Sequence, residues 1–96
     1  MPSEPLFQRQ VPAEELEGDL IPRGSPFDGI VWMNPERMSG TPGFFGTRVP
    51  VQHLFDYLRG GHTIDAFLDD FPGVTRQQVD AVLRLATENL FRATAV

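Results

Sequence analysis

Four polar residues whose side chains can read DNA bases fall near the start of the last helix that the sequence predicts. They are Arg76, Gln77, Asp80 and Arg84. In a major groove, arginine pairs with guanine, glutamine pairs with adenine, and aspartate accepts from cytosine. The same residues also suit an ordinary polar helix face on which Asp80 and Arg84 form an i,i+4 ion pair. The sequence leaves both interpretations open.

Side chains for catalysis or metal binding follow no recognisable pattern. The two histidines, His53 and His62, are not at the i,i+4 spacing of a zinc-binding helix, and the chain contains no cysteine. The serines lie in no nucleophile motif. We therefore expect a protein that is not an enzyme and that uses no metal or cofactor.

Three amphipathic helices are predicted between residues 51 and 90, and they must position the polar face. Each carries apolar residues at i, i+3, i+4 and i+7, the spacing of one helix face. The three stripes are Val51, Leu54, Phe55 and Leu58; Ile64, Phe67, Leu68 and Phe71; and Val79, Val82, Leu83, Ala86 and Leu90.

Capping signals mark where these helices begin. Thr63 is placed to cap the second helix, and Thr75 with Gln78 forms a capping box at the start of the third. Val74 and Val79 are placed as a hydrophobic staple around that box. Pro50 suits the first position of the first helix.

Only three residues, Pro72, Gly73 and Val74, connect the second and third helices. This spacing suits a helix-turn-helix pair, although any small three-helix bundle uses connections this short. We predict a mainly α fold, namely a small three-helix helix-turn-helix (homeodomain-like) bundle with a short N-terminal β-ribbon and an extended N-terminal arm.

The ribbon is predicted from two β-prone runs, residues 30–33 and residues 43–49. A two-stranded ribbon is marginal in water, so it must pack on the helices or pair with a second copy. Trp32, Phe44 and Phe45 would supply the contact. The alternatives for these aromatics are a dimer interface, which predicts self-association through the ribbon, and burial in the core.

The N-terminal arm, residues 1–28, is acidic and rich in proline, and the ribbon and bundle occupy residues 29–96. Two arginines face six acids in residues 1–33, whereas six arginines face seven acids in the rest of a chain with net charge −5. The arm is either a solvated tail or a segment that binds a partner, and in both cases the bundle should fold without residues 1–27. The candidate partner-binding residues are Leu6, Phe7, Arg9, Leu16, Leu20 and Arg23.

A membrane location is not expected from the sequence. No apolar run approaches the length of about 18 residues that a membrane span needs, and the N-terminus lacks the layout of a signal peptide. These features favour a cytoplasmic protein.

Residues 46–51 read Gly-Thr-Arg-Val-Pro-Val and follow a glycine-punctuated segment. With the helices that follow, this stretch resembles the family called domain of unknown function 433, over about residues 30 to 90. The resemblance implies a helix-turn-helix module of the VapB antitoxin type, which neutralises a PIN-like ribonuclease toxin and represses its own operon as a DNA-binding dimer. Arg48 in the motif would contact DNA phosphate, or it would pair with Asp56 or Asp80 to lock the ribbon onto the bundle.

The chain departs from the family at two positions where basic residues are common. Thr41 and Phe45 stand there instead. Their loss weakens the case for DNA contact and adds apolar surface. The alternative function is therefore a dimeric protein-interaction module that has the helix-turn-helix shape and binds no DNA.

Overall fold

The computed structural model describes residues 16–36 and 38–94, and within these ranges three helices pack beside a two-stranded ribbon. The strands are β1 (Val31–Trp32) and β2 (Gly43–Phe44). The helices are α1 (Val51–Arg59), α2 (Ile64–Asp70) and α3 (Arg76–Thr94). The prediction of a mainly helical chain with a short ribbon is confirmed.

The ribbon is antiparallel, with Val31 opposite Phe44. β2 is shorter than predicted because the chain turns back at Gly46, whose φ is +80°, a conformation that glycine adopts at little cost. After the turn, the Phe44 amide donates to the Val49 carbonyl at 3.0 Å, and Gly43 forms a bridge with Pro50. Residues 43–44 are therefore paired on both sides.

The helix boundaries follow the predicted capping signals closely. The Thr63 hydroxyl accepts from the Ala66 amide at 3.0 Å, as expected of an N-cap. Pro50 is extended and lies just before α1, so the prediction that it takes the first helical position is wrong by one residue. At α3 the capping box is complete, since the Thr75 hydroxyl accepts from the Gln78 amide and the Gln78 side chain accepts from the Thr75 amide, each at 3.1 Å.

The core lies where β2 meets the three helices. Phe44, Leu54, Phe67 and Val79 have no exposed surface, and the Phe44 and Phe67 rings are 5.8 Å apart. In α1 and α2, the first and the last residue of the predicted apolar stripe both contact this core. In α3 the last residue of the stripe, Leu90, does not. There, every residue from 86 to 94 is exposed, so the C-terminal part of the helix projects beyond the bundle.

Residues 16–28, the second half of the arm, pack onto the ribbon and are therefore not a solvated tail. The Leu20 amide donates to the Met33 carbonyl at 2.7 Å, and the Asp19 carboxylate accepts from the Met33 amide at 3.0 Å. The Asn34 side chain donates to the Glu17 carbonyl at 2.9 Å. These bonds hold residues 16–28 against the ribbon.

Arg23 holds this segment together. Its guanidinium pairs with Asp19 and with Asp28, at 3.0 Å for the latter, and lies 5.6 Å from the centre of the Phe45 ring. Phe27 packs against the core from the same segment. Deleting residues 1–27 would therefore remove core contacts of Phe27, and whether the bundle folds without them stays a prediction.

Candidate functional site

The Gly-Thr-Arg turn of the motif displays one arginine on a rigid frame. The Thr47 hydroxyl donates to the Phe44 carbonyl at 2.8 Å, and the Trp32 indole donates to the Thr47 carbonyl at 2.8 Å. Gly46 supplies the turn itself. These contacts fix the backbone on either side of Arg48, whose side chain lies exposed.

The predicted ion pair between Arg48 and Asp56 or Asp80 is wrong. Among the described residues, Arg48 forms no ion pair. Asp56 accepts from Gln52 at 3.0 Å and from Arg59 at 2.7 Å. The hydrogen bond from Gln52, followed by that from Arg59, holds the pKa of Asp56 below its ordinary value. Because Asp56 finds partners on its own helix, Arg48 remains available for an external contact.

Gln78 joins α3 to the ribbon. Its side chain has no exposed surface, and its amide nitrogen donates to the Phe45 carbonyl at 3.0 Å and to the Gly29 carbonyl at 3.4 Å. Gly29 precedes β1 and Phe45 follows β2, so one side chain binds the ends of both strands. This bond also sets the Gly-Thr-Arg turn beside the first turn of α3.

The four predicted base-reading residues, Arg76, Gln77, Asp80 and Arg84, are all exposed on α3. Arg76 forms an ion pair with Asp65 of α2. The i,i+4 ion pair expected between Asp80 and Arg84 is absent from the described residues. Arg76 and Arg84 thus place two exposed cations on α3.

The neighbouring helix α2 is acidic. Its exposed residues include Asp65, Asp69 and Asp70, and the helix contains no cation. The Tyr57 hydroxyl donates to Asp70 at 2.6 Å, which ties the end of α2 to α1. This bond retains the phenolic proton and raises the pKa of Tyr57. The acids of α2 thus add negative charge near α3, which opposes phosphate.

Trp32, Phe44 and Phe45 are interior side chains, so the prediction that they form a dimer interface is corrected. Their exposed fractions are 3%, 0% and 1%. The Trp32 and Phe45 rings lie 5.2 Å apart, and Phe44 packs on α2 through Phe67. Any surface that binds a partner must therefore be formed by other residues.

Among the predicted partner-binding residues that the structure describes, Leu20 is a large apolar side chain with 58% of its surface exposed. Leu16 is half-buried, and the ion pairs of Arg23 engage its guanidinium within the chain. Leu20 lines a shallow depression of about 430 Å³ whose rim carries two acids, Glu17 and Glu36. Outside the described residues lie the other predicted anchors, Leu6, Phe7 and Arg9.

An apolar groove of about 360 Å³, which sequence reasoning missed, runs between the ribbon, α1 and α3. Its walls include Met33, Pro42, Phe55, Leu85, Ala86 and Asn89. Ala86 belongs to the predicted α3 stripe. The apolar stripe continuing past the core was the one signal that pointed to this groove.

The two histidines contact aromatic rings. The His53 ring lies 5.8 Å from Phe71, and the His62 ring lies 5.2 Å from Tyr57. Within residues 16–36 and 38–94, no cluster of three or more His, Asp or Glu side chains is placed to hold a metal ion. In the same part of the chain, no helix has the length and apolar character for crossing a membrane.

Comparison with known proteins identifies the family. No curated protein and no solved structure matches the chain significantly. The model of the family described as "Protein of unknown function (DUF433)" matches residues 31–86, from β1 through the core-facing part of α3. Because this match covers more than half of the chain, the protein belongs to the DUF433 family.

Proposed function

We propose that this chain is an antitoxin that neutralises a PIN-like ribonuclease toxin by direct protein contact. The observation that carries the proposal is the exposed Leu20, which lies between the acids Glu17 and Glu36 on a turn that side-chain contacts hold in place. The resemblance to antitoxins of this family supplies the partner class. Leucine offers an apolar anchor, and the acids complement the basic surface with which a ribonuclease binds RNA.

The side-chain contacts of Asp19 hold this surface in an ordered conformation. Asp19, next to Leu20, accepts from the Ile21 and Met33 amides at 3.1 and 3.0 Å and pairs with Arg23. A surface that is already ordered loses less conformational entropy on association than a segment that must fold. Arg23 pairs with Asp19 and Asp28, so the proposal gives this predicted partner-binding residue a structural role.

We expect Leu20→Asp to weaken inhibition of the proposed PIN-like ribonuclease partner by about a hundredfold, because burying a leucine contributes about 1.5–3 kcal/mol and the new charge must also be desolvated. Titrating the antitoxin variants into a ribonuclease assay measures the change. Glu17→Lys and Glu36→Lys should each weaken inhibition more at low salt than at high salt.

The matched control is Phe91→Asp, which changes an equally exposed apolar residue at the far end of α3. Inhibition unchanged by Leu20→Asp would exclude this surface. Failure of the wild-type chain to bind the ribonuclease at all would reject the antitoxin function.

DNA-binding autorepression is a second candidate, with α2 and α3 as the helix-turn-helix pair. The exposed Arg76, Gln77 and Arg84 of α3 and the exposed Arg48 of the Gly-Thr-Arg turn favour it. The ion pair of Arg76 with Asp65 does not prevent it, since an exposed pair contributes at most about 1 kcal/mol. The acids of α2 count against it, because the first helix of such a pair crosses the phosphate backbone.

For this candidate we expect Arg76→Ala to lower affinity for the operator by about 1–3 kcal/mol and to relax specificity at one base pair. Gel-shift titration against the DNA upstream of the gene, at two salt concentrations, measures both effects. Arg92→Ala removes the same charge from the opposite end of α3 and should change little. If the wild-type chain forms no specific complex at the lower salt, the repressor function is rejected.

A further inference from the structure

The apolar groove is a concave surface that the described part of the chain leaves open to solvent. It lies where residues 16–28, the ribbon, α1 and α3 meet. Its described lining residues are all apolar except Asn89, and none of them is ionisable. Concave sites lined mainly by apolar side chains are where proteins bind apolar groups.

The chain enters the described structure beside this groove. Leu16, the first described residue, is three positions from Asp19, whose carboxylate accepts from the amide of the groove residue Met33 at 3.0 Å. The Leu20 amide bonds to the Met33 carbonyl at 2.7 Å, and the next residue, Ile21, lines the groove itself. Three residues span at most about 10 Å. The residues that precede Leu16 therefore begin within reach of the groove.

The stretch that precedes Leu16 matches the groove in composition. Residues 5–13 contain Leu6, Phe7 and Val11, and Arg9 is their one ionisable residue. Acidic residues flank this stretch on both sides. Because Leu6 and Phe7 are uncharged and the described lining of the groove is uncharged too, burying these two side chains there removes no charge from water.

We propose that the chain covers this groove with its own N-terminal segment, residues 4–15, and that the Phe7 ring is the main anchor with Leu6 beside it. An apolar cavity of about 150 Å³ holds one benzene molecule, so a groove of about 360 Å³ has room for both side chains. Nine positions separate Phe7 from Leu16 and span at most about 30 Å. This length exceeds the 10–12 Å diameter of a helix, so the ring can reach the α3 wall.

The tether favours the chain's own segment over a separate partner. A ligand joined through so few residues is present at an effective concentration of about 1 mM. A contact too weak to hold a free peptide at micromolar concentration therefore suffices to keep the groove covered. Any external apolar ligand must first displace the segment, which makes the segment an intramolecular competitor that controls access to the groove. This inference does not rest on the proposed function, which uses the Leu20 surface.

The absence of cysteine from the sequence permits a direct test in the full chain. Under mild oxidation, Gln8→Cys combined with Ala86→Cys should form a disulfide within one chain at least tenfold faster than Gln8→Cys combined with Thr87→Cys. Thr87 is the matched control because it is exposed like Ala86 but lies about 100° away around α3. Adding Phe7→Asp to the first pair should slow its oxidation to the control rate.

Equal oxidation rates for the two pairs, or a rate that Phe7→Asp leaves unchanged, would overturn the proposal. Disulfides that form only between chains would also overturn it, because the segment of a second copy would then occupy the groove.

A competition experiment tests the same contact without cysteine. A synthetic peptide of residues 4–15 should shift the methyl NMR signals of Met33, Val51 and Leu85 in the full-length Phe7→Asp chain, with a Kd of about 0.1 mM. In the wild-type chain the tethered segment, at about 1 mM effective concentration, should raise the apparent Kd about tenfold. The peptide that itself carries Phe7→Asp should shift neither chain. Equal Kd values for the wild-type chain and the variant would contradict an occupied groove.

Inhibition of the proposed ribonuclease distinguishes this inference from the proposed function. Phe7→Asp leaves the Leu20 surface unchanged, so inhibition should persist in this variant. Leu20→Asp should leave the rate of the Gln8→Cys and Ala86→Cys disulfide unchanged. Inhibition lost in Phe7→Asp would assign Phe7 to the partner instead of the groove.

Discussion

Gln78→Glu should destabilise the chain by about 3–5 kcal/mol at neutral pH, a large share of the 5–15 kcal/mol that stabilises a typical domain. The substitution preserves the shape of the side chain and the oxygen that caps α3. It replaces the amide nitrogen, which donates to the Phe45 and Gly29 carbonyls at 3.0 and 3.4 Å, with an oxygen that repels both. The new carboxylate would lie in a site with no exposed surface.

The loss should depend on pH in a defined direction. Burial against two carbonyls raises the pKa of the introduced carboxyl in the folded state above the unfolded value of about 4.3. The folded state then binds the proton more tightly, so the loss of stability relative to the wild-type chain is smallest below about pH 4 and grows as the pH rises through the folded pKa.

Urea denaturation at a series of pH values measures this effect. Gln77→Glu makes the same change at the exposed neighbouring residue and should cost less than about 0.5 kcal/mol. If the two variants unfold at the same urea concentration, Gln78 does not join α3 to the ribbon.

Asp19→Ala should cost about 2–4 kcal/mol, because one carboxylate accepts from three donors and its side chain is only 3% exposed. Its Oδ1 atom accepts from the Ile21 and Met33 amides, and its other oxygen pairs with Arg23. Removing it leaves two backbone amides and a guanidinium without their partner. Asp19→Asn keeps an acceptor for the amides and should cost less.

Thermal unfolding followed by circular dichroism compares these variants. Glu17→Ala removes the same charge two residues earlier, where the side chain is exposed and only the backbone carbonyl bonds to Asn34. It should melt close to the wild-type chain. Equal melting temperatures for Asp19→Ala and Glu17→Ala would show that residues 16–28 do not stabilise the fold.

The helices were predictable because their signals are local. Apolar spacing of i, i+3 and i+4, a threonine before Ile64, and the Thr75–Gln78 box each act within a few residues of the chain. The same reasoning failed for Gln78's second role, since its amide bonds to residues 33 and 49 positions away. A capping pattern carries no information about such distant partners.

The candidate surfaces were harder to predict for a related reason. Acids and prolines in residues 16–28 are typical of a solvated tail, yet Asp19 and Arg23 satisfy one another and the ribbon. Likewise, Trp32 and Phe45 are aromatic residues of the kind that occur at protein interfaces. Only their packing shows that the side chains face inward. The residue type determines which contacts a side chain can form, whereas the surrounding structure determines which of those contacts it does form.

The pairing of residues 43–44 on both sides also limits how copies of this chain can assemble. β2 receives β1 on one side and residues 49–50 on the other, while Leu20 and Asp19 bond to Met33 just beyond β1. Few backbone groups of the ribbon therefore remain to template another strand. Growth into fibres by successive strand addition is therefore disfavoured, and any association between copies would have to use side-chain surfaces.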